Sequence, residues 1–268
     1  MHLYTEETNL IKESAGTRAN TPVTILGVPF DSTETTLSGQ RKAPDSIRNA
    51  FLNIETGDVF DKLTDAGNLM VVHGSASKTL SRLEQTIDDL FSGNKEVIPV
   101  LLGGEHTVTL GAVKSMIKRH GEFDILCFDA HYDLKNNWQT EKLNHSTVMR
   151  RIYELNKNIG FIGVREYSCE EKDFFKKNGI GRNLDKIKRS GKPLYVSVDV
   201  DVFDTSVMPG VSDSVPGGIR VKEFFDVMKL FKKRKIIGMD IVEFNPLVEE
   251  YVTSRNVAYV LRELVNLL

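Results

Sequence analysis

The chain has 268 residues, 40% hydrophobic and 27% charged, with a formal net charge of −2 at pH 7. This near-neutral balance gives no electrostatic case for a nucleic acid or an anionic membrane surface as partner, and no apolar run approaches the length of a membrane-spanning helix. Two distant cysteines, Cys127 and Cys169, argue against a disulfide scaffold or a cysteine–zinc site. Residues 1–20 are polar and acidic without the apolar core of a signal peptide, so we predict a cytoplasmic protein.

Short apolar runs alternate with longer segments of helical periodicity along the chain. Runs that are apolar throughout are typical of parallel strands covered on both faces, and the β–α alternation favours a three-layer α/β/α fold with a mostly parallel sheet. We predict one domain over residues 21–268, preceded by the polar segment 1–20. The predicted strands are 23–28, 69–72, 97–102, 124–130, 159–164, 194–200 and 236–242. The predicted helices are 44–52, 78–92, 107–119, 145–155, 170–177, 221–233 and 254–267.

Acidic residues and histidines follow four of the predicted strands. The run VIPVLL is followed by GGEH, DILCFDA by HYD, LYVSVDV by DVFD, and IIGMDIV by EFNP. In sheets of this kind, ligands bind beyond the carboxyl ends of the strands. The side chains of the four segments are therefore expected to meet along one edge of the sheet.

Acids and a histidine recur at every second residue in FDAHYD (128–133) and SVDVDVFD (197–204). If both strand ends stay extended, residues two apart share one face and project into one pocket. Close carboxylates repel one another, and divalent cations remove that repulsion. Carboxylates and imidazoles without thiolates suit Mn²⁺ better than tetrahedral structural Zn²⁺, so we predict a two-metal hydrolase site. The six candidate ligands are His106, Asp129, His131, Asp133, Asp199 and Asp201.

Two acids of this set, Asp129 and Asp199, are the candidate bridges between the ions. A pair of metals shared in this way holds a hydroxide nucleophile between them. The third acid of SVDVDVFD, Asp204, is an odd number of residues from Asp199 and Asp201, so it would face the other side of the strand, and it lies past the strand end. We expect Asp204 to fix the following turn instead of binding metal.

Five segments of the chain resemble, in order, the signature blocks of the ureohydrolase family, which includes arginase and agmatinase. They are GVPFDSTETTLSGQRKAPDSIR (27–48), GGEHT (103–107), FDAHYD (128–133), SVDVDVFD (197–204) and DIVEFNP (240–246). The resemblance is nearer to agmatinase. It implies a hydrolase acting on linear amidines, with two Mn²⁺ per subunit, that cleaves a guanidinium group to urea and an amine. It also implies a homo-oligomer, a trimer or hexamer, with a role in polyamine biosynthesis.

The same resemblance assigns roles to individual residues. Glu243, in DIVEFNP, would pair with the substrate guanidinium and hold it over the nucleophile. His145, in LNHSTVMRR, resembles the proton-shuttling histidine, and His145 or Asp133 would protonate the departing amine. From its residue type alone, and not from the resemblance, Trp138 is expected either to line the pocket mouth beside the aliphatic part of the substrate or to pack on its own loop. For the metals, His106 and Asp133 would bind one ion, His131 and Asp201 the other, and Asp129 and Asp199 both.

The residues expected around the pocket depart from the family pattern. LSGQR (37–41) stands where many agmatinases have Arg-Pro-Gly-Ala-Arg, and PGVSDS (209–214) stands where Pro-Gly-x-Gly-Thr-Pro is usual. Glu141 would repel a substrate carboxylate if it faced the pocket, which favours agmatine, hydrolysed to putrescine and urea. Arginine, guanidinobutyrate and formiminoglutamate stay open as substrates. A deacetylase on a related fold and a non-catalytic guanidine- or polyamine-binding protein are the alternatives of other classes.

Overall fold

A single eight-stranded sheet forms the centre of the computed structural model, which describes residues 2–6 and 22–268. The order across the sheet is β1-β3-β2-β4-β8-β7-β5-β6, and all pairings are parallel except that of β1 with β3. The strands are Thr5–Glu6 (β1), Val23–Val28 (β2), Leu63–Leu69 (β3), Ile98–Gly103 (β4), Asp124–Phe128 (β5), Ile159–Ile162 (β6), Leu194–Asp199 (β7) and Ile236–Val242 (β8).

Helices cover both faces of this sheet. Helices α1, α6, α7 and α8 bury their apolar residues in one core cluster, and α2, α3, α4 and α5 pack against a second cluster on the other face. The predicted three-layer α/β/α fold is confirmed. The helices are Ala43–Leu52 (α1), Ala76–Gly93 (α2), Val108–His120 (α3), Val148–Leu155 (α4), Cys169–Lys177 (α5), Asn183–Arg189 (α6), Val221–Met228 (α7) and Tyr251–Asn266 (α8).

Strand β3 is the largest departure from the predicted elements. The prediction placed this strand at 69–72, but it occupies Leu63–Leu69. Its polar residues are buried because Arg48, a fully buried side chain of α1, pairs with them. The guanidinium donates to both carboxylate oxygens of Asp65, at 2.7 and 2.9 Å, and to Asn68 Oδ1 at 2.6 Å. The strand is stabilised by a buried ion pair, which an apolar pattern does not reveal.

Two elements were absent from the prediction. Helix α6 is polar and buries only Ile187, so it has almost no apolar periodicity. Strand β1 lies within the predicted polar segment 1–20, where residues 2–6 are described and the remainder lies outside the described residues. The boundary between that segment and the domain therefore stays a prediction. Across the described residues, no helix combines the length and apolar character needed to cross a bilayer.

The four segments that carry the candidate site residues meet at the centre of the sheet. Strands β4, β8, β7 and β5 are consecutive neighbours, and their carboxyl ends lie on the same edge because they are parallel. The loop between β2 and α1, residues 29–42, rests on the turn that follows β4. The amide of Glu105 donates to Phe30 O at 2.7 Å, and a Cβ on Gly104 would lie 1.9 Å from the same oxygen. Only glycine permits this approach.

Candidate metal centre and substrate pocket

All six predicted metal ligands converge at this edge of the sheet, and His106 lies at the centre of one half. Its Nδ1 atom is 3.0 Å from Asp133 Oδ2 and 3.3 Å from Asp129 Oδ2. The same nitrogen is 3.4 Å from Asp199 Oδ2. His106 is fully buried, as is the Asp129 side chain. Three carboxylate oxygens therefore surround one imidazole nitrogen, and of these acids Asp133 is slightly exposed.

The second half of the cluster is built around His131. Its Nδ1 atom lies 2.8 Å from Asp201 Oδ2 and 3.8 Å from Asp129 Oδ1. Asp129 thus turns one oxygen toward each histidine. Asp201 is held in place because its Oδ1 accepts from the amide of Ala130 at 2.9 Å.

The expectation that both strand ends stay extended is wrong. Strand β5 ends at Phe128, before the first ligand, and the ligands after it lie in a loop. Strand β7 ends at Asp199, and Val200–Val202 form a short 3-10 turn. The Asp199 side chain caps this turn by accepting from the amide of Asp201 at 2.9 Å. Local turns, instead of extended strands, orient these acids. The turns also place residues two apart on the same side of the backbone.

His106 is oriented by a hydrogen-bonded chain behind it. Its Nε2 atom lies 3.1 Å from Ser197 Oγ, which donates to Asp240 Oδ1 at 2.6 Å. The hydroxyl of Tyr195 donates to the other oxygen of Asp240 at 2.7 Å. Because Ser197 uses its proton on Asp240, it accepts the Nε2 proton of His106. The chain leaves Nδ1 of His106 without a proton in the neutral imidazole.

The electrostatics of the cluster fit divalent cations. Burial, followed by the nearby charges of Asp133 and Asp201, raises the pKa of Asp129 to about 7. Burial, together with Asp201 and Asp129, also raises the pKa of Asp199 well above its usual range. The Nδ1 atom of His106 is buried and makes no hydrogen bond of acceptable geometry in the described part of the chain. Imidazole nitrogens and repelling acids in one buried cluster suit a positively charged occupant.

A cavity of about 300 Å³ opens from this cluster toward the surface. Eight acidic side chains and a single lysine, Lys135, are among its lining residues. Glu243 lies at its inner end, where its Oε1 accepts from the amide of His106 at 2.6 Å. Burial, followed by the charges of Glu34 and Asp199, raises the pKa of Glu243 well above its usual range. The composition of the lining indicates a cationic ligand.

His145 also lines the cavity. Its Nε2 atom lies 2.9 Å from Thr35 Oγ1 and 3.7 Å from Glu34 Oε1, and its Nδ1 atom lies 4.0 Å from Glu243 Oε1. A capping box formed by Asn144 fixes the turn that begins at His145. The imidazole is therefore held beside Glu243, with its Nδ1 atom toward Glu243 and its Nε2 atom toward Thr35.

A sequence profile of the arginase family matches residues 21–266. The chain belongs to the arginase family. It is 35% identical over 259 residues to the N(1)-aminopropylagmatine ureohydrolase of Thermococcus kodakarensis, covering 90% of this chain and 88% of that protein. It is 34% identical over 237 residues to the agmatinase of Pyrococcus horikoshii, covering 82% of each.

A solved structure superposes closely on this chain. The agmatine ureohydrolase of Thermoplasma volcanium gives a TM-score of 0.82 at 30% identity, covering 98% of this chain and 94% of that one. The predicted family and the predicted hydrolase class are confirmed by these similarities.

Glu34 and Gln40 had no predicted role at the pocket of this arginase-family chain. Glu34 lines the cavity with a side chain only 1% exposed, and Gln40 is fully buried beside it. Both belong to the β2–α1 loop, whose STETTLSGQ stretch has no periodicity that marks one acid above another. The departure at LSGQR (37–41) from the Arg-Pro-Gly-Ala-Arg pattern pointed to this loop without pointing to Glu34.

Trp138 is not among the described residues that line the cavity, so its contact with substrate stays a prediction. Trp138 and Glu141 pair with each other across a tight turn and line a neighbouring groove, which also includes Ser75 and Glu34. The indole stacks under Lys135, whose Nζ lies 4.2 Å from the ring centre. Its position follows from packing on its own loop, the other placement considered. Glu141 is likewise not among the described residues that line the acidic cavity, so its repulsion of a substrate carboxylate stays a prediction.

Asp204 has the structural role expected of it. Its Oδ1 accepts from the amide of Ser206 at 3.0 Å, and its Oδ2 accepts from the amides of Gly217 and Gly218 at 3.0 and 3.2 Å. Hydrogen bonds from Ser206 lower the pKa of Asp204 to about 2. The residue joins two loops at the cavity rim.

Proposed function

We propose that this protein hydrolyses agmatine to putrescine and urea. The observation that carries the proposal is the position of Glu243, a buried carboxylate at the inner end of an acidic cavity and next to the cluster of candidate metal ligands. A guanidinium group carries a permanent positive charge and pairs with a carboxylate through two parallel hydrogen bonds. The names of the relatives, agmatinase and N(1)-aminopropylagmatine ureohydrolase, support a guanidine substrate without an α-carboxylate.

The six clustered residues would hold two divalent cations, and we propose Mn²⁺ because the donors are oxygens and imidazole nitrogens. Bound there, the ions would supply a water nucleophile of lowered pKa and positive charge for the developing negative charge. The two oxygens of Asp129, turned toward different histidines, support a bridging role for this residue. Asp129→Asn is expected to lower the metal content below two ions per subunit and to abolish turnover.

Glu243 would orient the guanidinium. Its two oxygens are fixed from behind by the amide of His106 at 2.6 Å and by Gln40 Nε2 at 3.1 Å. Because the guanidinium is resonance-stabilised, its carbon is a poor electrophile, and attack depends on holding that carbon in one orientation beside the nucleophile. A carboxylate that cannot rotate provides that orientation.

His145 would deliver the proton that the leaving amine needs. The amine nitrogen of the tetrahedral intermediate must gain a proton before its bond to carbon breaks. His145 lies 4.0 Å from Glu243, so its imidazole is next to the place where the guanidinium would be held. Asp133, also at the cavity surface, is the second candidate for this transfer.

A longer substrate, N(1)-aminopropylagmatine, is the second candidate, because the cavity lining continues outward from Glu243 to further acids. Glu166 and Asp213 line the cavity and are exposed to solvent, which suits them to a second ammonium group. The Thermococcus relative is named for this substrate. A homo-oligomer, trimeric or hexameric, in the cytoplasm stays the prediction for assembly and compartment.

The test is an assay of product release by the Mn²⁺-loaded protein. The panel comprises agmatine, N(1)-aminopropylagmatine, arginine, guanidinobutyrate and formiminoglutamate, with urea measured for the guanidines and formamide for the last. We expect urea from agmatine or its aminopropyl derivative, with little from the carboxylate-bearing substrates. Release of neither product from any substrate, with two metals bound, would overturn the enzyme proposal and favour a guanidine- or polyamine-binding protein. The arginase-family match sets the deacetylase alternative aside.

A further inference from the structure

Two carboxylates of the cavity share one amide donor. Gln40 Nε2 lies 2.6 Å from Glu34 Oε2, 3.1 Å from Glu243 Oε2 and 2.9 Å from Ser212 Oγ. We propose that Glu34 is a second carboxylate that binds the substrate guanidinium, with Gln40 setting the separation between the two acids. The inference rests on the proposed function, because it takes the guanidinium to be held at Glu243.

Glu34 is held in a single orientation by its own loop. Its Oε1 accepts from the amides of Thr35 and Thr36, at 2.8 and 2.9 Å, and from Thr36 Oγ1 at 2.9 Å. In the part of the chain that the structure describes, no lysine or arginine lies within 4.0 Å of this carboxylate. A buried carboxylate without a cationic partner is destabilising unless a ligand supplies the charge. The side chain is thus fixed, faces the cavity and, among the described residues, has the imidazole of His145 but no lysine or arginine beside it.

The spacing of the two acids fits one planar cation. One oxygen of Glu34, one oxygen of Glu243 and one nitrogen of His145 all lie within 4.8 Å of one another. Two carboxylates this close repel, and a cation between them removes the repulsion. A substituted guanidinium carries five N–H donors in one plane, more than a single carboxylate can accept. One edge of the group would face Glu243 and another would face Glu34.

A second observation concerns the side-chain oxygen of Gln40, which lacks a hydrogen-bond donor in the described part of the chain. The residue is fully buried, and its Oε1 atom has no hydrogen-bond donor among the described residues. The oxygen and the nitrogen of the amide are bonded to one carbon, so Oε1 lies near the carboxylates that Nε2 contacts but points in another direction. Buried polar atoms are normally paired, so this oxygen calls for a donor from a ligand or water. A guanidinium offers donors for the amide oxygen and for both acids.

The experiment compares the Mn²⁺-loaded wild type with Glu34→Gln. The two ligands are agmatine, which has a guanidinium and an ammonium, and n-butylguanidinium, which has the guanidinium alone. Calorimetry gives the dissociation constant of n-butylguanidinium, and KM and kcat are measured for agmatine. We expect both ligands to bind about 10- to 100-fold more weakly to Glu34→Gln, as for the loss of a charge-assisted hydrogen bond. Glu34→Asp keeps the charge and is expected to recover part of the affinity for n-butylguanidinium.

Glu96→Gln is the matched control, because it makes the same change at a side chain that is 78% exposed. This variant should bind both ligands as the wild type does. Melting temperature and bound manganese are measured for each protein. Glu34→Gln is expected to keep two metals and to melt no lower than the wild type, because it removes a repelling charge.

Three results would overturn the inference. Weaker binding of agmatine with unchanged binding of n-butylguanidinium would mean that Glu34 serves the distal ammonium. A loss of manganese in Glu34→Gln would make the cluster of Glu34, His145 and Glu243 a metal site. A lower melting temperature together with weaker binding would indicate a structural residue. Failure of the proposed function is separate: it would be a wild type that binds n-butylguanidinium but releases no urea from any guanidine.

Discussion

His106 Nε2 lies 3.1 Å from Ser197 Oγ, and this contact orients an imidazole whose other nitrogen faces three carboxylates. Removing the hydroxyl in Ser197→Ala frees the ring to rotate and to exchange its tautomer. We expect metal affinity to fall about 10- to 100-fold, the usual effect of losing such a supporting contact. Competition with a metal-chelating dye would measure it. Ser92→Ala, on an exposed part of α2, is the control and should bind metal normally.

Glu243→Gln should separate substrate binding from metal binding. The variant keeps the size of the side chain but replaces one oxygen by a donor that cannot accept from a guanidinium. We expect kcat/KM for agmatine to fall at least about 100-fold, with two metals still bound per subunit. Steady-state kinetics and elemental analysis measure the two quantities. Full activity in this variant would show that Glu243 does not hold the substrate.

Metal removal should make the stability of the protein fall as pH rises. In the metal-free protein, burial raises the pKa of Asp129 from 3.8 to about 7, so the folded state retains a proton that the unfolded state has lost. The free energy of unfolding then decreases between about pH 5 and pH 7, by roughly 2 kcal/mol for this group alone. The pKa of Asp201 is lowered, because the hydrogen bond and charge of His131 outweigh the opposing effect of burial. Asp201 is therefore ionised in both states above about pH 5, and its contribution to the free energy of unfolding does not change between about pH 5 and pH 7.

With Mn²⁺ present, the free energy of unfolding should instead increase as pH rises. Deprotonated carboxylates bind metal more tightly, so bound metal stabilises the fold more as pH rises. Thermal unfolding of chelated and metal-loaded protein would give both curves. Parallel curves would mean that these acids do not contact metal.

Arg48→Met is expected to destabilise the fold without touching the site. The guanidinium is fully buried and forms a two-point pair with Asp65, so its loss leaves an uncompensated buried carboxylate. Breaking such a pair costs about 3–5 kcal/mol of unfolding free energy, which denaturant titration would detect. Arg255→Met removes a guanidinium whose Asn53 contact is exposed, and it should change stability by less than about 0.5 kcal/mol.

The sequence predicted the central elements well and the polar ones poorly. Strands β2 and β8 were predicted at their observed bounds because they are mostly apolar, whereas β3 was misplaced because its buried polarity depends on Arg48. The six candidate ligands were found because they follow apolar strands at regular spacing. Their geometry was not found, since short turns replace the extended strand ends that were assumed.

Glu34 could not be found from local pattern. Its place at the cavity depends on Gln40, which is hydrogen-bonded to a residue 203 positions away in the chain, Glu243. The position of Trp138 illustrates the opposite case. Its residue type suited a pocket mouth, but local pairing with Glu141 and stacking with Lys135 decided its position. Residue type indicates what a side chain can do, and its contacts in the folded chain, local or long-range, decide where it lies.

The contact between Phe30 and Gly104 divides the chain into parts that can change independently. The β2–α1 loop is anchored to the turn before His106 by backbone atoms alone at this point, through the Glu105 amide and Phe30 O. Side chains farther along the loop, at positions 34 and 40, are not part of that anchor. A mutant library restricted to these two positions would therefore change cavity side chains while it leaves the backbone anchor of the loop in place.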